Sequence, residues 1–271
     1  MLTIHAAPLV LPAGAAPGTD APGTDDAPGT DALGTDASGK DPLGTGVPGT
    51  AEPATNVPVA DVPVADGAVA DGAVLVDGDR ITAVGPYEEL AEEAPGARVR
   101  RWPGVLTPGL RQWHPLWLLR HCYHPDPREA DELGEEPLWG EKLAALGDLT
   151  ETRWSGSVRR GVQRMLRYGT TAVASPGARF RDPLVATAVA RSGLTVVGTT
   201  GAPGTLLGER PDLDPFAEGY DLRGTVHAPL SVGGRADLAV FDVPDETALR
   251  ERGAVTCVAT VLAGRLVYRA R

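Results

Sequence analysis

The chain has 271 residues, enough for one large domain or two small ones, and a formal net charge of -11. That charge argues against nucleic acid or an anionic membrane surface as a partner. No apolar run approaches the length that spans a bilayer, and two cysteines, Cys122 and Cys257, make no disulfide framework, so a reducing cytoplasm is the expected compartment.

The N-terminal stretch LTIHAAPLVL alternates loosely and predicts a strand; it has no basic region that would make it a signal peptide. Residues 13–66 follow as an acidic five-residue repeat. APGTD stands at 16–20, 21–25 and 27–31, then decays, and VPVAD at 57–61 and 62–66 begins a second unit. Nine acidic residues against Lys40 give this segment a charge of -8, which leaves -3 for the rest. Pro and Gly in the units oppose both helix and sheet, and little is large enough to bury. A disordered insertion grown by repeat expansion is the expectation.

Beyond the repeat, GAVLVDGDRITAVG predicts a hairpin, Val74–Val76 and Arg80–Val84 about an Asp77-Gly78 turn. PYEELAEEAPG predicts a short helix, and ARVRRWPGVLTPG one further strand. From 154 to 168 a helix is expected with Val158, Val162, Met165 and Leu166 on one face. GTTAVASPG predicts a buried strand, RDPLVATAVARSG a helix, and LTVVGTTG a second buried strand, the alternation of a parallel α/β segment. The chain ends in β: RADLAVFDV, a short helix at DETALRERG, and a hairpin about Ala263-Gly264.

GAVLVDGDRITAVGP, then VLTPGL with His114 after three intervening residues, and finally LSVGGRADLAVFDV with VLAGRLVYRAR resemble the flanking parts of the amidohydrolase superfamily, in its imidazolonepropionase and aminodeoxyfutalosine deaminase branch. The resemblance implies a small composite β-sandwich made from both chain ends, residues 1–12, 67–107 and 224–271, around a metal-binding β/α barrel at 108–223. It also places the repeat in a loop between two sandwich strands, where length costs little. Removing 13–66 leaves 217 residues; the sandwich takes 101 and 108–223 holds 116. A full eightfold barrel needs roughly 200–250 residues, so three or four strand–helix units are expected. The fold class predicted is therefore α/β, a composite sandwich with a truncated barrel-like segment.

The same resemblance poses the chemical question. The family's first barrel strand ends in His-x-His, but PGLRQWHPLW carries His114 with Leu116 two residues on, and Arg111 and Gln112 stand before it. The family's later strands supply a bridging carboxylate or Lys, two more histidines and an Asp, and none has a counterpart here. Zinc at an open catalytic site needs three protein ligands. His114, His121 and His124 are the candidate metal ligands, with Cys122 between them, yet their spacing matches no established metal motif, and structural histidines in a Trp/Tyr-rich patch are the plainer alternative. No catalytic residue is assigned: Ser155 and Ser175 lack a His–carboxylate setting, Cys257 reads as a core thiol, Asp237 and His227 as structural, and the acidic run from Glu129 to Glu136 as a solvated face.

Two readings follow. One is a non-catalytic descendant that binds or assists a partner and needs no cofactor. The other is a hydrolase of a non-peptide C–N bond, in a cyclic amide or aminopurine-like substrate, using zinc or iron. All five Trp lie within 102–154, against three Phe in the whole chain. They are expected either to fill the space of the missing strands or to form a surface for a second copy or another protein.

Overall fold

Strand β1 (Leu2–Val10) organises the fold. The computed structural model describes residues 1–13, 67–199, 212–217 and 219–270, so from residue 14 the expected repeat lies outside the described residues. After β1 come β2 (Val69–Asp77), β3 (Arg80–Pro86), α1 (Tyr87–Glu93), β4 (Arg98–Arg101), β5 (Val105–Pro108) and β6 (Leu110–Gln112). Then follow α2 (Pro115–Arg120), α3 (Ala130–Leu133), α4 (Gly140–Ala144), α5 (Glu151–Arg167), β7 (Thr170–Pro176), α6 (Pro183–Ser192) and β8 (Thr195–Thr199). The chain closes with α7 (Leu222–Thr225), β9 (Leu238–Phe241), α8 (Glu246–Arg252), β10 (Cys257–Leu262) and β11 (Arg265–Arg269). The architecture is mixed α/β, an open mixed sheet of eight strands beside a parallel sheet of three.

The large sheet takes strands from both ends of the chain. Its path runs β11-β10-β9-β5-β1-β2-β3, with β4 branching from β1. β1 pairs antiparallel with β2 along its length; on its other side Thr3–Ala6 pair with β4 and Leu9–Val10 with β5. The single strand expected at 97–109 is thus two. Pro103 and Gly104 break it, and Gly104 sits at φ +61, where a side chain would also strike the carbonyls of Phe241 and Val243.

The ends of the sheet curl toward each other. Residues 233–236 stitch the β2–β3 hairpin to the β10–β11 turn: Ile81 N–H donates to Gly234 O (2.9 Å), Ala236 N–H to Asp79 O (2.8 Å) and Gly264 N–H to Ala236 O (2.8 Å). One core cluster accordingly joins Val76 and Ile81 to Leu238, Val240 and Val261. The opposite face of β9 and β10 carries Phe241, Leu249 and Cys257 in a second cluster. Both hairpin loops have two residues, Gly78-Asp79, one place later than expected, and Ala263-Gly264; Gly78, Ala263 and Gly264 have the positive φ that tight hairpin turns use.

The small sheet has the order β6-β7-β8 and is parallel throughout. Its helices follow local signals. Thr150 caps α5 through Arg153 N–H, and Val158, Val162 and Met165 are buried while Leu166 is half-buried. Asp182 caps α6 through Val185 N–H (3.0 Å), Pro183 begins it, and Gly193 ends it in the left-handed region. β8 corrects an expectation: it is not buried. Four of its residues are half-buried and Gly198 is exposed; among the described residues only β7 pairs with it. The large sheet meets α5 through Thr260 Oγ1, which donates to Leu166 O (2.7 Å), and Arg235 before β9 reaches Gly193 O (2.6 Å) at the end of α6 and Thr195 Oγ1 in β8.

Candidate functional site

The residues leaving β6 decide what the small sheet can do. Gln112 is buried; its Oε1 accepts the His114 N–H (3.0 Å), and its Nε2 points at the carbonyls of Asp212 and Leu213 (3.5 and 3.4 Å). Arg111 stacks on the Trp113 ring at 3.6 Å, and both donate to Gly224 O, at 3.0 and 3.2 Å. Burial pulls the Arg111 pKa down to about 10, opposed by Tyr220, whose ring lies 5.9 Å from that of Trp113. These three side chains tie the strand end to the segments at 212–213 and 220–224.

The three candidate histidines take three different settings. His114 is the N-cap residue of α2, half-buried, with its carbonyl accepting Leu118 N–H (3.0 Å). His121 is exposed at the other end of that helix, its ring 6.4 Å from Trp117. Seven residues of helical rise separate them by roughly 10 Å. His124 is fully buried, and its Nε2 lies 3.0 Å from Leu118 O, so Nε2 carries the proton. Burial first, then Arg164 and Arg160, hold its pKa down to about 4 against the bond to Leu118 O, and the ring is neutral. Its main chain is fixed as well, N–H to Ser157 Oγ (2.8 Å) and carbonyl to Arg160 Nε (2.8 Å). The structure does not bring the three together. Among the described residues no group of three or more His, Cys, Asp or Glu is placed to hold a metal ion.

Nucleophile chemistry finds no better footing. Burial pushes the Cys122 thiol up to about 12 and Cys257 to about 11, so both remain protonated. Ser175 is buried and donates to Arg179 O (2.6 Å). Asp237 accepts Ala263 N–H (2.7 Å) and pairs with Arg235 (3.2 Å), fixing the approach to β9 against the β10–β11 turn.

Sequence reasoning missed one polar knot. Glu129 is not on a solvated face: its carboxylate accepts Tyr123 O–H (2.7 Å), Asp126 N–H (2.8 Å) and Arg153 Nη2 (2.7 Å). Burial alone would raise its pKa, but these bonds and the charge of Arg153 bring it down to about 2. Asp126 in turn pairs with Arg160 (3.0 Å). The Asp126-x-x-Glu129 spacing of a capping box was the available signal. The knot binds the loop after α2 to α5. The Trp residues are spread likewise: Trp117 and Trp139 pack on the core under the small sheet, Trp102 stacks on His5, and Trp154 meets the edge of Tyr123.

Residues 72–97, which span most of β2, all of β3 and α1, match the family described as imidazolonepropionase-like composite domain, bacteria. Similar solved structures include the Aspergillus niger ochratoxinase (14% identity, TM-score 0.36, 73% of this chain and 30% of that one). The aminofutalosine deaminase of Helicobacter pylori is similar at 14% identity and a TM-score of 0.31, over 65% of this chain and 29% of that one. An adenosine deaminase from Xanthomonas campestris with bound zinc is similar at 16% identity and a TM-score of 0.34, over 71% and 32%. The chain thus spans about a third or less of these structures, each at low identity. No curated protein matches the sequence. Among the described residues no helix is long and apolar enough to cross a membrane.

Proposed function

We propose that this chain is a divergent imidazolonepropionase-like, amidohydrolase-related protein that binds or assists a partner and carries out no metal-dependent catalysis of its own. The observation that carries the reading is the geometry at His114. A His-x-His pair on a strand points both rings to one face, because side chains alternate with period two. Here β6 has ended at Gln112, and Pro115 opens α2. Positions 114 and 116 therefore diverge around a helix, and position 116 is a leucine, 46% exposed and without a donor atom.

In this reading the large sheet, curled around Val76, Ile81, Leu238 and Val261, is the composite sandwich. The segment 108–223, with its three parallel strands, is a truncated barrel, and the Trp-rich stretch 102–154 is where a second copy or another protein docks. Metal analysis of the purified full chain tests it. The expected result is well under one zinc or iron ion per chain, a melting temperature unmoved by chelator, and a His114→Ala variant of unchanged stability. About one tight ion per chain, released by both His114→Ala and His121→Ala, would replace this reading with that of a hydrolase using metal-activated water on a non-peptide C–N bond.

A further inference from the structure

The large sheet carries a local reversal of the chain's charge. β4 reads Arg98-Val99-Arg100-Arg101, and its only strand neighbour among the described residues is β1. Among the described residues no strand pairs with its other edge, and Val99 is 42% exposed. Arg98 and Arg100 share one face by the period of two, and Arg269 of β11 joins them there, its guanidinium 5.9 Å from the Trp102 ring. Trp102 is itself fixed on the same side of β1, stacked on His5 and donating to His5 Nδ1 at 3.2 Å. The three guanidinium groups crowd one another: burial first, then Arg98 and Arg269, lower the Arg100 pKa. Among the described residues no carboxylate pairs with any of the three, and Arg100 Nε is buried without a hydrogen-bond partner. Arginines on an edge strand can serve simply to prevent edge-to-edge aggregation. That purpose does not call for a third arginine converging from another strand.

We propose that the open edge of β4 is a docking site for an extended acidic polypeptide, which adds as a strand and sets alternate carboxylates on Arg98 and Arg100, with Arg269 as a third contact. A peptide strand can satisfy the unpaired backbone groups of the edge, which nucleic acid cannot. β4 is four residues, about 13 Å, so the match is to a short segment, and a net charge of -11 repels a long polyanion. The site lies on the large sheet and is independent of the reading given for 108–223.

The test is fluorescence anisotropy of the full chain with a labelled peptide of about eight residues in which Glu alternates with Val or Thr. Binding is expected to weaken with salt, and on the order of fivefold in Arg98→Ala/Arg100→Ala, the size of two cross-strand charge pairs. Arg269→Ala, an exposed position, is expected to weaken it less and serves as the second variant should the double one fail to fold. A peptide of the same composition with its Glu in one block is expected to bind more weakly than the alternating one. Equal binding of block and alternating peptides, retention of affinity in both arginine variants, equal competition by a single-stranded oligonucleotide of matched charge, or no binding at low salt would each overturn the proposal.

Discussion

β9 and β8 are short strands of similar make, LAVF and TVVGT, yet all four residues of β9 are buried and none of β8 is. The difference is in the neighbours. β9 lies between β5 and β10, and its residues alternate between two cores, Leu238 and Val240 into one, Ala239 and Phe241 into the other. β8 has β7 on one side and a single cluster beneath Val196. The large sheet is thus held by contacts that cross the whole chain and by a core on each face. The small sheet buries its central strand β7, Thr170–Ser175, on both faces and leaves β8 half-buried at its edge. Strand composition sets which residues can be buried; the number of layers around the strand sets which ones are.

The sharpest way to break this contrast is a matched pair of truncations. Leu238→Ala, in β9, is expected to cost about 2–5 kcal/mol, and Val197→Ala, in β8, less than about 1 kcal/mol, read from chemical denaturation. Comparable losses would mean that the small sheet is packed as tightly as the large one. Next in size is Gly264→Ala. Gly264 sits at φ +72, and an added Cβ would run into the carbonyl oxygen of Gly78, where the two hairpins meet. A loss of about 2–3 kcal/mol is expected, and a near-neutral variant would show that the curl of the sheet has room to spare.

The smallest effect is one of pH, and each region supplies a histidine. His5 in β1 and His124 beside α5 are both buried with pKa values lowered to about 4, in each case by burial first. The unfolded chain binds these protons near pH 6.5 and the folded chain does not, so stability is complete above about 6.5 and falls as pH drops toward 4. By pH 5.5 each should account for a loss on the order of 1 kcal/mol. The difference between thermal melts at pH 7.5 and 5.5 should shrink in both His5→Gln and His124→Gln. A variant whose melts keep the full difference would show that its histidine titrates alike in both states.

Much of this was readable from local sequence. The Asp182-Pro183 start and Gly193 stop of α6, the hairpin at Ala263-Gly264 and the apolar face of α5 are each set by residues within a few positions of one another. What escaped depends on distant partners. The division at Trp102-Pro103-Gly104 follows from β4 and β5 taking different parts of β1, about a hundred residues away in sequence. The exposure of β8 follows from its having, among the described residues, one strand neighbour. At the candidate site the absence of a second histidine was plain in the sequence. That Gln112, Arg111 and Trp113 would be spent tying down 212–213 and 224 was not, since those partners are main-chain carbonyls and leave no residue signature.

The helix that opens at Pro115 also bears on the route by which such a chain could be reversed. Substituting Leu116 by histidine would restore the wording of the motif and none of its geometry, because the new imidazole would project from the first turn of α2, about 200° around the axis from position 114. Rebuilding the pair would first require unwinding that turn, and with it losing the burial of Leu118 and Leu119 and the Leu118 carbonyl that accepts the His124 Nε2–H bond. On the reading proposed above, selection acting one substitution at a time would meet a loss of stability before any gain of chemistry, and the short helix would act as a ratchet.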